Sequence, residues 1–218
     1  MSSDFINGSK YAFSTTLGVA HAISAITNAN PPAFTSTAMP SNDDIVLLQS
    51  GWSDLSDTAF MTDSGGTLFE QDTTDTKQYP PGEGVGSWQL MDGFVTLDQI
   101  REAPNSGGDT NFFNWSYVED SSTRQRTRPT DKNPINITFT LDRDSTKPWF
   151  AALRVLDKSR QLSVLRETLK SGEVLLYTGY WSFQPMPTRT RNENMTVTAT
   201  FSVNSDLVAL PATFPSGS

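Results

Sequence analysis

The chain has 218 residues and a formal charge of −8, from 16 Lys plus Arg set against 24 Asp plus Glu. That length holds one domain or one and a half, with a core large enough to fold without disulfides or metal. No cysteine is present, which excludes disulfide frameworks, thiolate metal centres and cysteine nucleophiles, and the single histidine, His21, excludes zinc sites with two histidines. Charged residues make up only 18%, below the roughly 25% of ordinary domains. Thr, Ser and Asn fill the gap, a composition of strands and turns.

The opening MSSDFINGSK has no basic patch before an apolar run, so it does not read as a secretory signal, and no stretch approaches the length of a membrane span. A soluble protein made in a cytoplasm is the expectation. Between Tyr11 and Asn30 the pattern predicts one or two short strands, closed by the loop signal Asn30-Pro31-Pro32. Ile45 to Leu48 predicts a buried strand, and further strands are expected at Thr58 to Thr62 and, after a Gly65-Gly66 turn, at Thr67 to Gln71. Asp72 to Gly86 is loop. Residues 31–90 thus form a small, acidic, strand-rich subregion.

Further on, residues 112–119 place Phe113, Trp115 and Tyr117 on one face and Asn114 and Ser116 on the other; residues 135–141 repeat the alternation with Ile135, Ile137, Phe139 and Leu141 against Asn136, Thr138 and Thr140. The polar stretch 120–134 between them reads as a long loop. A helix is predicted over about 147–160, with Pro148 in its first turn, Ser145 or Thr146 as its cap, and a packing stripe of Trp149, Phe150, Leu153 and Leu156. Leu162 to Leu169 and Val174 to Phe183 form a hairpin through Lys170-Ser171-Gly172-Glu173, Asn194 to Val203 alternates as a last strand, and residues 207–218 are an arm or tail. The sum is mainly β: one domain over residues 1–206 with a single helix.

Chemistry is sparse. His21 reads as structural, Asp142-Arg143-Asp144 as turn and cap, and the pairs Asp43-Asp44 and Glu119-Asp120 point to opposite faces of a strand, so neither makes an acid/base dyad. Gly82 to Gly86 lacks the flanking strand and helix of a phosphate loop. No catalytic residue, cofactor site or metal site is expected. Charge is uneven. Residues 1–100 hold two basic and twelve acidic residues, a net −10, and residues 101–218 hold fourteen and twelve, a net +2. The one basic cluster is Arg124, Arg126, Arg128 and Lys132, which lacks aromatics of its own for stacking on nucleic acid and suits an acidic protein surface better.

Taken in order, FINGSKYAFST, SGWSDL, NFFNWSYVED, RQRTRPTDKN, INITFTL, KPWFAAL and NENMTVTATFSV resemble the major tail tube proteins of long, flexible-tailed, lambda-like bacteriophages, from about Phe5 to Val203. The resemblance implies a β-sandwich or barrel with a flanking helix, in subunits that form hexameric rings stacked into a tube through which DNA leaves the capsid. It implies that Arg124, Arg126, Arg128 and Lys132 contact acids of an adjacent ring, and that Asn114, Ser116, Asn136, Thr138 and Thr140 line the lumen. Tape measure and tail terminator proteins are implied partners, DNA passes without tight binding, and the place of action is the virion tail after assembly in a host cytoplasm. Three readings stand beside it: a monomeric ligand-binding β-sandwich with Trp52, Trp88 or Trp181 as platform, a single-ring terminator or baseplate protein, and, last, an enzyme such as a glycosidase using two of the many carboxylates.

Overall fold

The computed structural model describes residues 8–119, 124–189 and 194–212. In chain order the elements are β1 Lys10–Phe13, β2 Thr16–Leu17, β3 His21–Ile26, β4 Phe34–Ser36, β5 Asp44–Ser50, β6 Thr58–Thr62, β7 Gly86–Asp92, β8 Val95–Leu97, β9 Ile100–Glu102, β10 Asn105–Ser106, β11 Thr110–Trp115, β12 Arg126–Lys132, β13 Asn136–Asp142, α1 Pro148–Ser159, β14 Ser163–Thr168, β15 Val174–Thr188, β16 Thr196–Val203 and β17 Val208–Leu210. The chain is mainly β with a single helix, as its composition and alternation imply.

The two most regular runs, β13 and β16, pair antiparallel with Ile137 opposite Phe201, Phe139 opposite Ala199 and Leu141 opposite Val197. They sit in a larger sheet of order β10-β13-β16-β15-β14-β1-β8, with β9 on β13 and β17 on β15. Period-two alternation sends every one of those apolar side chains to the same face. There α1 covers them: Trp149, Phe150, Leu153 and Leu156 are buried against Phe13, Trp181 and Phe183. The rings meet edge to face or tilted, Phe150 on Phe183 at 5.2 Å and Trp181 on Phe201 at 4.9 Å, the geometry aromatic quadrupoles favour.

The helix starts differently from expectation. Lys147, extended at φ −74° and ψ 141°, is the N-cap and supplies no side-chain cap, so neither Ser145 nor Thr146 plays that part. Thr146 turns instead to Asp144, whose Oδ1 accepts its hydroxyl at 2.6 Å and its N–H at 2.9 Å and is held below the ordinary carboxylate range by them. Asp98, following β8, fixes the helix start by accepting from Lys147 Nζ at 2.8 Å and from the buried Trp149 indole at 2.7 Å.

A second sheet, β4-β3-β7-β5-β6 with β2 on β7, is built from residues 16–92 and so begins earlier than the sequence reading places it. It covers the opposite face of the larger sheet, where Val164, Leu176, Val208 and Leu210 join its core. One buried hydrogen bond ties the two sheets: the Ala59 N–H donates to Thr178 Oγ1 at 3.0 Å. Loop residues Trp52, Leu55, Leu68 and Tyr79 complete this core. The expected strand at Thr67 to Gln71 is only a pair of bridges, Thr67 to Ala33 and Leu68 to Thr62. Gly66 explains the tight entry, since at φ +73° a Cβ there would lie 2.7 Å from Phe34 O. The residues after 207 do not begin as a free arm, because β17 adds to β15. The molecule is therefore layered, with helix, larger sheet and second sheet in that order.

Candidate functional site

The stretch 120–134 is not all loop. Its second half is β12, which among the described residues pairs with β11 and with no other strand, so the two form a hairpin outside both sheets. Register sorts its side chains. Phe113 lies opposite Arg128 and Trp115 opposite Arg126 on one face, while Asn114 lies opposite Thr127 on the other. Phe113 and Trp115 stack at 6.0 Å, and the Arg126 guanidinium sits 5.0 Å from the Tyr117 ring centre. The aromatic strand therefore packs against no core: Phe113 is 60% and Tyr117 52% exposed. The basic cluster that lacks aromatics in its own stretch acquires them across the ladder. Arg124, Arg126, Arg128 and Lys132 are all exposed and form no ion pair among the described residues. Sequence reasoning missed these aromatic partners, although the arginines at every second position, 124, 126 and 128, carry a strand's period.

Asn114 and Ser116 belong to this hairpin, whereas Asn136, Thr138 and Thr140 belong to the larger sheet, so the five lumen candidates form two groups. On β13 and β16, Asn136 faces Ser202, Thr138 faces Thr200 and Thr140 faces Thr198; Ser182 and Gln184 of β15 continue the rows. Ser202 Oγ donates to Asn136 Oδ1 at 2.6 Å. This is the face that the second sheet covers farther along β15, at Leu176 and Thr178, and leaves open here. The open part, from Asn136 to Thr140 and across to Ser182, carries hydroxyls and amides and neither Lys nor Arg.

Candidate chemistry elsewhere is structurally engaged. Asp142 pairs with Arg101 at 2.6 Å, and His21 lies against the Trp88 ring at 4.8 Å. Glu167 accepts from the Tyr11 and Tyr177 hydroxyls at 2.7 and 3.3 Å; burial first, and then this carboxylate, pushes both phenols above their ordinary pKa. Arg166, lowered by burial, covers the Phe94 ring at 4.8 Å. Among the described residues no three His, Asp or Glu side chains gather as metal ligands, and no helix is long and apolar enough to cross a membrane. Trp52, Trp88 and Trp181 are at most 4% exposed, so none can serve as a ligand platform.

The family model for phage tail tube proteins (TTP) matches residues 50–212, about three quarters of the chain. The chain belongs to that family. No curated protein matches it in sequence. A tail tube protein is a structural component of the phage tail that assembles with copies of itself into a tube. The match takes in the hairpin, α1 and the hydroxyl face of the larger sheet, and it begins within the second sheet.

Proposed function

We propose that this tail tube protein is the tube subunit of a long, flexible-tailed phage, forming hexameric rings that stack into the conduit for DNA ejection. The observation that carries the reading is the pairing of two surfaces that a monomer has no use for: an ordered hydroxyl and amide face that presents no cation from Asn136 to Thr140, and a hairpin that, among the described residues, joins neither sheet. A conduit should not retain phosphates. Each phosphate neutralised by Lys or Arg releases counterions and adds to binding, so a wall of Asn136, Thr138 and Thr140 lets DNA pass without tight binding.

Stacking needs two different complementary surfaces on each subunit, because a head-to-tail contact that does not close on itself makes an open filament. The hairpin, with Arg124, Arg126, Arg128 and Lys132, is one of them. Acids of the adjacent ring, in the segment from Asp43 to Asp75, are the other, since opposite charges steer and register such contacts. Asn114 and Ser116, on the hairpin's other face, extend the lumen wall across the ring boundary. A tape measure protein inside the tube and a terminator at its end are the remaining partners, and assembly takes place in the host cytoplasm.

Negative-stain electron microscopy of the purified protein tests this. Tubes support it. Single rings that never stack identify a terminator or baseplate ring instead, and featureless small particles identify a monomeric module. Replacing the four hairpin cations with Glu should leave rings but stop stacking; tubes of normal length from that variant refute the hairpin's part.

A further inference from the structure

The helix α1 has a second face that neither its own core nor the hairpin uses. Ala151, Arg154, Val155 and Lys158 line an open depression on it, Val155 being 65% exposed. Arg154, Lys158 and Arg160 form no ion pair among the described residues, and Asp157, the acid between them, is occupied in accepting the Phe183 N–H at 3.1 Å. The face is thus an apolar strip edged by cations. On the opposite side of the larger sheet, the unit formed by residues 16–92 holds ten acidic residues and a single cation, Lys77. Among the described residues its exposed Glu70 and Glu83 make no side-chain hydrogen bond of the sort that engages Asp63 and Asp72.

The layering decides what can meet. Within one copy the larger sheet separates α1 from the acidic unit, since each packs on a different face of it. Between two copies, a cationic strip on one side and an acidic unit on the other meet head to tail. That is the heterologous arrangement that closes into a ring when the rotation permits.

We propose that the outer face of α1 docks on the acidic unit of a second copy and forms the lateral contact within the ring. This rests on the reading of the protein as a self-assembling tube subunit. The partner is a second copy because one chain supplies both halves of the complement.

Two variants test it by sedimentation: Arg154→Glu/Lys158→Glu, negative on both sides, and Glu70→Lys/Glu83→Lys, with α1 unchanged and its acidic partner weakened. Each alone should sediment as the 24.0 kDa monomer under conditions in which the natural protein forms rings. An equimolar mixture should recover ring mass, with the two variants alternating around the ring, which also shows that both are folded. Rings from the α1 variant alone, or a mixture that stays monomeric, overturn the contact while leaving the tube reading intact. A natural protein that never assembles overturns the tube reading and this contact together.

Discussion

Thr178→Val should loosen the joint between the two sheets. Thr178 is 1% exposed, and its Oγ1 accepts the N–H of Ala59, also 1% exposed, at 3.0 Å. Valine keeps the shape and removes the acceptor, so the packing term stays nearly constant and the amide of Ala59 is left buried without its partner. An orphaned buried donor costs about 1–3 kcal/mol. In a domain of this size each kcal/mol moves the melting temperature by about 2–4 °C, so a loss of roughly 2–12 °C is expected. The assay is thermal unfolding at a concentration where the protein is monomeric, because assembly would add its own stabilisation. Hydrogen exchange at the Ala59 amide should quicken in parallel, and Thr178→Ser, which retains the hydroxyl, should lie close to the natural protein. A Thr178→Val variant that melts within 1 °C of the natural protein, with Ala59 equally protected, would show that the sheets are held by apolar packing alone.

Asn136→Lys/Thr138→Lys is expected to assemble normally and to slow genome ejection, because it places cations on the proposed lumen wall; unchanged ejection kinetics would put those residues outside the lumen. Acid should destabilise the fold in part through three aspartates. Burial opposes ionisation of Asp63, but the Thr67 and Gly65 N–H groups and the Thr67 hydroxyl outweigh it; Asp72 is lowered by the Thr74 N–H and Asp144 by the Thr146 hydroxyl, all from an ordinary 3.8. Their contribution is complete above pH 3.8 and is lost as pH falls through the lowered values, so Asp63→Asn should flatten the acid limb of a plot of melting temperature against pH. At the other end, the phenols of Tyr11 and Tyr177 are raised above 10.0 by burial and by Glu167. The stability they confer is present below pH 10 and falls as pH rises toward the raised values, so Tyr11→Phe should make the alkaline limb shallower; an unaltered limb would remove Tyr11 from the account.

What the sequence conveys follows the physics of each element. β13 and β16 are legible because half-buried strands must alternate, and α1 because four large apolar residues recur at helical spacing. β5 and β6 show as short apolar runs between turn residues. β12 is not legible in this way: Arg126 to Lys132 holds no apolar alternation, includes Pro129, and is exposed throughout, so only its pairing with β11 makes it a strand. β7 is hidden for a related reason. It runs between β3 and β5 in the second sheet, and its burial pattern shows no clean period, so Trp88 and Met91 appear as isolated apolar residues until their neighbours are known. The cap of α1 misleads because Ser145 and Thr146 both have the right chemistry, and Asp144 engages Thr146 first. In the candidate surfaces, charge and residue type could be read directly. Which residues share a face could not, because Asn114 and Asn136 look alike in sequence and lie in different sheets.

The hairpin's energetics bear on when a tube can grow. A two-stranded hairpin alone is marginal in water, and this one leaves Phe112, Phe113 and Tyr117 largely exposed while Pro129 contributes no N–H to the ladder. The stacked rings of Phe113 and Trp115 and the Arg126–Tyr117 contact supply local support of about 0.5–1.5 kcal/mol each. Such support is comparable to the entropy of fixing only one or two residues of a strand that has seven. In the proposed stack, then, part of the gross interaction with the adjacent ring goes into holding the hairpin in shape. The net contact in that stack is weaker than its area suggests, and free subunits resist premature stacking for the same reason. In the proposed hexameric ring the balance alters, since six hairpins presented together would engage six acceptors, and once one has docked the others bind at high effective concentration. Weak single contacts made strong by the ring allow a tube to extend only from an assembled end.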